Sequence, residues 1–211
     1  MAAGPVGKGG ATRAIRVTAS RVGTIDFQGV PGQLAVVGTG TGQVILTGQV
    51  HGTASAPVVE TRLDRAAGVL AVSVRCAPAS LCTQNLRLAV PADTGVAVRQ
   101  PGGRVVLTGL AGPLRITAEN ADISASGLRS PDLAAAITSG HLNATFTAPP
   151  RQVSITLASA QATLYLPDRA AYRIAQEVAS GYVRIAIPQA GGATRTVTAR
   201  IDSGELELLP S

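Results

Sequence analysis

Short stretches in which apolar and polar residues alternate recur through the chain from Ile15 onwards. They include Leu86, Leu88 and Val90; Leu114 and Ile116; Leu133, Ala135 and Ile137; Val153, Ile155 and Leu157; and Val183, Ile185 and Ile187. Each stretch predicts a half-buried β-strand, because side chains on a strand point alternately to its two faces. No window carries a sustained apolar stripe at i, i+3, i+4 and i+7. The best helical candidate, Ala170 to Ala179, contains the β-branched Ile174 and Val178 and alternates as well as it spirals. The pattern therefore predicts an all-β protein with essentially no helix.

A longer period lies over the alternation. A small-residue turn, an outward residue and then an apolar one recur as Gly102-Gly103-Arg104-Val105, Asn120-Ala121-Asp122-Ile123, Ser139-Gly140-His141-Leu142, Ser159-Ala160-Gln161-Ala162, Ser180-Gly181-Tyr182-Val183 and Ser203-Gly204-Glu205-Leu206. The second small residue advances by 18, 19, 20, 21 and 23 positions from one unit to the next. Each unit reads as strand, tight turn, strand, looser turn. A few aliphatic side chains cannot offset the conformational entropy of ordering one unit, whereas stacked units share backbone hydrogen bonds and a continuous core. Small inward groups such as Ala135 and Ala162 suit a narrow interior. Glycine or asparagine in the tight turn admits a positive φ, and Ser159-Ala160 departs from that chemistry. Thr41-Gly42-Gln43-Val44 is a similar unit in a less regular first half.

The expected fold is a single-stranded parallel β-helix, or solenoid, with rungs of about 20 residues; an antiparallel β-sandwich is the alternative. Residues 1–12, rich in Gly and Ala, read as a leader or linker stub, 13–95 as an irregular N-terminal β part of the same domain, and 96–211 as the regular repeats.

The tail from about Leu86 to Leu209 carries a resemblance as well as a pattern. Its LRLAVPADTGVAVRQPGGRVVLTGLAG opening, its recurrent small-residue turns and its ATLYLPDRAAYRI segment resemble the bacterial domain family catalogued as a putative adhesin of unknown function. The resemblance implies a β-helix held outside the cytoplasmic membrane, often behind an N-terminal membrane helix. It supplies no catalytic residues.

Composition narrows the chemistry. Of 211 residues, 45% are hydrophobic but only 2% aromatic, so the core must be aliphatic. Charged residues are 14%, with 18 basic and 12 acidic side chains giving a net charge of +6. The basic residues are scattered and lack aromatic stacking platforms, which argues against nucleic acid as a partner. Phe27 to Val59 is free of charged residues but is interrupted by seven glycines, so it is no membrane span. Met1 to Gly10 lacks the basic and apolar regions of a secretory signal. The expected location is extracytoplasmic, with anchoring through a segment absent from this chain; a cytoplasmic location is the alternative.

Cys76 and Cys82 bound a turn between two strand-like stretches. A disulfide is the leading reading, with two free thiols the alternative. The spacing is not C-x-x-C, and no neighbouring histidine completes a zinc set. His51 and His141 lie far apart, and no G-x-S-x-G elbow occurs. Gly38-Thr39-Gly40-Thr41-Gly42 lacks the spacing of a nucleotide loop and precedes a strand rather than a helix. No cofactor is expected.

One constellation follows from the repeat. Parallel stacking about 4.8 Å apart would set Arg104, Asp122, His141, Gln161, Tyr182 and Glu205 in a single external file. Asp122 would then lie between Arg104 and His141, and Arg184 beside Glu207 on a neighbouring file. This face is the candidate ligand site, where Asp122, His141, Tyr182 and Glu205 would bind sugar hydroxyls and Tyr182 would be the sole stacking surface; solvated surface charge is the plainer alternative. The expected function is a non-enzymatic, adhesin-like module binding a cell-envelope component, carbohydrate or protein. A polysaccharide-active enzyme is the first rival and rests on fold analogy alone. A self-associating stalk, with unpaired strand edges on an end rung, is the second.

Overall fold

Among the described residues of the structure, a computed structural model, the aliphatic alternation closes into thirteen β-strands joined in one sheet, with no helix. It describes residues 10–53, 56–77 and 82–211. The strands are β1 (Ala11–Ser20), β2 (Thr24–Gln28), β3 (Gly32–Thr39), β4 (Gln43–Gly52), β5 (Val58–Asp64), β6 (Val69–Arg75), β7 (Cys82–Pro91), β8 (Gly95–Thr108), β9 (Leu114–Leu128), β10 (Asp132–Phe146), β11 (Gln152–Leu166), β12 (Arg173–Ile185) and β13 (Thr196–Pro210). Most of the expected stub, residues 1–9, lies outside the described residues, and β1 already begins at Ala11.

From β8 onwards every ladder is parallel, and each keeps one register except for a single shift between Ala144 and Phe146 in the β9–β10 ladder. Leu133 pairs with Leu114 on one side and Val153 on the other, an advance of one repeat per strand. The tight turn expected to separate two strands is instead a bend inside one 15-residue strand, as at Ser139-Gly140 in β10, where the ladder to β11 omits Thr138 and continues through Ser139 and Gly140. Inward rows run across the strands as columns. One reads Ile116, Ala135, Ile155 and Ala199; another reads Ala118, Ile137, Leu157 and Ile201. All eight residues are buried. Large and small side chains alternate in the first column, so these rows fill without aromatic bulk, although Phe27, Phe146 and Tyr172 are fully buried elsewhere in the core, which is therefore not wholly aliphatic.

The spatial order departs from the chain order at both ends. β13 pairs with β11 on one side and β12 on the other, so the last strand is inserted between two earlier ones. Likewise β2 lies between β8 and β6, and β3 between β8 and β7. Inward chemistry accounts for the C-terminal order. Val197, Ala199, Ile201, Leu206 and Leu208 of β13 are all apolar and buried, whereas β12 places Gln176 opposite Ala199. An amide is costly in a dry column and cheap at its end.

The sheet is mixed, so a wholly parallel coil does not extend through the N-terminal part. β4 runs antiparallel to β7, β1 antiparallel to β4, and β5 antiparallel to β6. For β5 and β6 the cause is local: only four residues connect them, too few for a parallel crossover. Asp64 Oδ1 accepts the amides of Ala66 and Ala67, and Gly68 turns with φ 65°. Thr41-Gly42-Gln43-Val44 therefore leads into an antiparallel strand rather than forming one more repeat of the regular kind.

Candidate functional site

The bends of successive strands stack into a corner of the molecule, and the residue after each small one projects from it. Pairing sets Arg104 against Asp122, Asp122 against His141, His141 against Gln161, Gln161 against Glu205, and Glu205 against Tyr182. All six sequence-derived residues thus lie in one file. The expected order is corrected at its end: Glu205 precedes Tyr182, because β13 inserts between β11 and β12.

Glycine is what lets the corner close. Gly140 adopts φ 103°, and a Cβ there would run into the carbonyl oxygen of Ala121 on the adjacent strand. Gly103 (φ 98°) and Gly204 (φ 152°) stand in the same relation to Gly32 and Ala160. Ala121 and Ala160 alternate with these glycines and do not share their positive φ. The departure at Ser159-Ala160 is therefore accommodated: Ala121 and Ala160 hold this place without a positive φ, whereas Gly181 and Gly204, on adjacent strands, both carry one.

Two segments of the file have distinct chemistry. In the first, His141 Nδ1 lies 3.0 Å from Asp122 Oδ1, both side chains largely exposed. Beside them the Ser139 hydroxyl donates to the Glu119 carbonyl at 2.8 Å. In the second, Ser159, Ala160, Gln161, Gly181, Tyr182, Ser203, Gly204 and Glu205 line a shallow open depression of about 350 Å³. Its floor is the small residues of the bend. Its walls supply two hydroxyls, one amide, one carboxylate and a phenol, with Tyr182 57% exposed. On the flanking files Arg184 meets Glu207 at 3.5 Å, as the register required, and Arg200 meets Glu177 at 3.6 Å.

Sequence reasoning missed Ser159 and Ser203 as wall residues, although both recur just before the small residue of their units. A second depression, about 340 Å³, lies on an outward face that includes Thr24, Ala97, Arg115, Ala134 and Ser154, and no sequence signal marked it. Cys76 and Cys82 form a disulfide that ties the end of β6 to the start of β7. Among the described residues no group of three or more His, Cys, Asp or Glu side chains could hold a metal ion. No helix among them is long and apolar enough to cross a membrane.

No protein-family model matches the chain, and no curated protein matches it. A solved structure resembles it in fold. The crystal structure of a putative cell adhesion protein from Clostridium sporogenes aligns with a TM-score of 0.54 at 10% identity, covering 94% of this chain and 100% of that one. A putative adhesin from Parabacteroides distasonis aligns over 96% of this chain and 98% of its own, at 11% identity and a TM-score of 0.31.

Proposed function

We propose that this chain is a non-enzymatic, adhesin-like module of the cell envelope. Its regular part is a parallel β-helix with rungs of about 20 residues, and its corner file is the ligand face. The observation that carries this reading is the depression around Gln161, Tyr182 and Glu205. An exposed phenol ring beside an amide, a carboxylate and two hydroxyls on a rigid floor of small residues suits a sugar ring: apolar C–H faces stack on the aromatic, and hydroxyls bond to the polar walls. The C. sporogenes neighbour, described as a putative cell adhesion protein, supports the same direction at the level of fold. The single carboxylate in the depression favours binding over glycoside hydrolysis, which uses a pair.

An extracytoplasmic location belongs to the same reading. The Cys76–Cys82 bridge suits an oxidising compartment, since thiols are kept reduced in the cytosol.

Titration calorimetry against soluble cell-envelope glycans tests the site. Saturable binding is expected, weakened about tenfold, or about 1.4 kcal/mol, by Tyr182→Ala and by Glu205→Gln, with Arg104→Ala at the far end of the file nearly neutral. Absence of glycan binding, or binding indifferent to Tyr182 and Glu205, overturns the carbohydrate assignment.

A further inference from the structure

The two ends of the sheet are finished differently. At the N-terminal end β7 is covered by β4 and β4 by β1. At the other end β12 pairs with β13 on one side, and no strand among the described residues pairs with its other edge. The inward row of β12 is correspondingly open. Val197, Ile201, Leu206 and Leu208 of β13 are fully buried, while their register partners Ile174, Val183 and Ile185 are half-buried and Val178 is 38% exposed. A strand of this length with free N–H and C=O groups over a partly open apolar row is a template for another strand.

We infer that a second copy of this chain covers this end, β12 against β12, about a two-fold axis passing through the corner between Ser180 and Gly181. The bend makes each β12 two legs meeting at that corner, so such an axis maps one leg onto the other. Antiparallel pairing then sets Val178 opposite Val183 of the second copy and Gln176 opposite Ile185, inward residues facing inward residues. On the outside it sets Glu177 opposite Arg184 of the second copy, and Arg184 opposite its Glu177.

The surrounding charges select this occupant and this register. Glu177 already lies beside Arg200, and Arg184 beside Glu207. Across the junction the outward file therefore reads Arg200, Glu177, then Arg184 and Glu207 of the second copy: positive, negative, positive, negative. Symmetry repeats the series on the other leg. A slip of one residue turns the apolar row outward. A slip of two sets Glu177 against Tyr182 or Ala186 and loses both ion pairs. An isologous contact of this kind closes at two copies, whereas β12 adding to the β1 or β5 edge of another molecule would propagate into a fibre. Tyr182 would face Ala179 of the second copy, bringing two corner files side by side, but the inference rests on the free edge and its charges and not on any ligand.

Sedimentation equilibrium of the full chain without ligand, over a wide concentration range, is the test. The wild-type chain is expected to approach a dimer. Glu177→Arg should lose it and return the mass towards 21.2 kDa, while Glu119→Arg, the same charge change on an exposed mid-sheet position, should keep it. Circular dichroism matching the wild type secures the comparison. Ala175→Cys/Ala186→Cys, which sets two cysteines opposite their counterparts without altering charge, should yield a covalent dimer on mild oxidation. A monomer at every concentration, a dimer indifferent to Glu177→Arg, no crosslinking at 175/186, or a mass that grows beyond two copies would each overturn the proposal.

Discussion

At the corner, substitutions one atom in size separate backbone demands from side-chain ones. Gly140 pairs in register between Ala121 and Ala160, so a composition-based view treats the three as interchangeable. The structure does not. Gly140→Ala must hold an L-residue at φ 103° and push against the Ala121 carbonyl, and the backbone conformation alone costs about 1–2 kcal/mol. A fall in melting temperature of at least several degrees is expected for a chain of this size. Gly191→Ala, where an added Cβ meets nothing within 4 Å, should stay within about 0.5 kcal/mol of wild type. Equal melts for the two variants would show that the corner does not need glycine. Polar contacts on the same corner act differently: the exposed Asp122–His141 pair contributes at most about 1 kcal/mol, so Asp122→Asn should barely move the melt. Tyr172 is a separate case. It is fully buried with its hydroxyl donating to the Pro167 carbonyl at 3.2 Å, and burial pushes its pKa up despite Arg195 and Arg169. A raised folded pKa gives stability that is complete below the ordinary tyrosine range and lost as pH climbs through it. Thermal stability should thus fall above about pH 10, and Tyr172→Phe should flatten that fall.

Single strands were legible because alternation is a local property. Leu133, Ala135 and Ile137, or Val153, Ile155 and Leu157, declare their buried face without reference to any partner, and all six are buried. The repeat was legible for a related reason: stacking in register brings like positions together, and small residues recur wherever the sheet bends. What the pattern leaves open is how deep in the stack a strand lies. Leu157 of β11 is fully buried and Val178 of β12 is 38% exposed, yet each occupies the inward position before its bend. Leu157→Ala should cost about 2–5 kcal/mol, and Val178→Ala, at protein concentrations low enough to keep the chain monomeric, under about 1 kcal/mol; chemical denaturation measures both. The first half was less legible because its strands pair through hairpins and insertions, which short irregular spacings do not specify. There the disulfide helps to fix the arrangement. Closing the short loop between Cys76 and Cys82 contributes about 2 kcal/mol in the chain-entropy model, so reduction should lower the melting temperature by a few degrees without changing the far-ultraviolet spectrum. An unchanged melt would mean that β6 and β7 are held by the sheet alone.

Across the whole molecule, order in space is set by which strands can fill a dry interior rather than by which comes next in the chain. The interval of 23 residues between Gly181 and Gly204 was visible as an irregularity, but its meaning was not, because both β12 and β13 carry the same bend and nearly the same alternation. The polar Gln176 in the inward row of β12 was the discriminating residue. Insertion of β13 has a consequence that a coil wound in chain order would not share. Were the order sequential, deleting residues 196–211 would expose β12 as a new end and leave it paired to β11. With β13 between them, the same deletion takes away the strand on which, among the described residues of a single chain, every ladder hydrogen bond of β12 depends. Gln152–Leu166 would remain held by β10, while Arg173–Ile185 would have to cross an empty strand position to find a partner. Hydrogen exchange on the truncated chain, resolved by peptide, should therefore show full protection in β9 and β10, partial loss in β11, and near-complete loss in β12. Retained protection over Arg173–Ile185 would mean that β12 can pair directly with β11, so that insertion of β13 is an exchange between two nearly equivalent stacks rather than the arrangement the inward residues enforce.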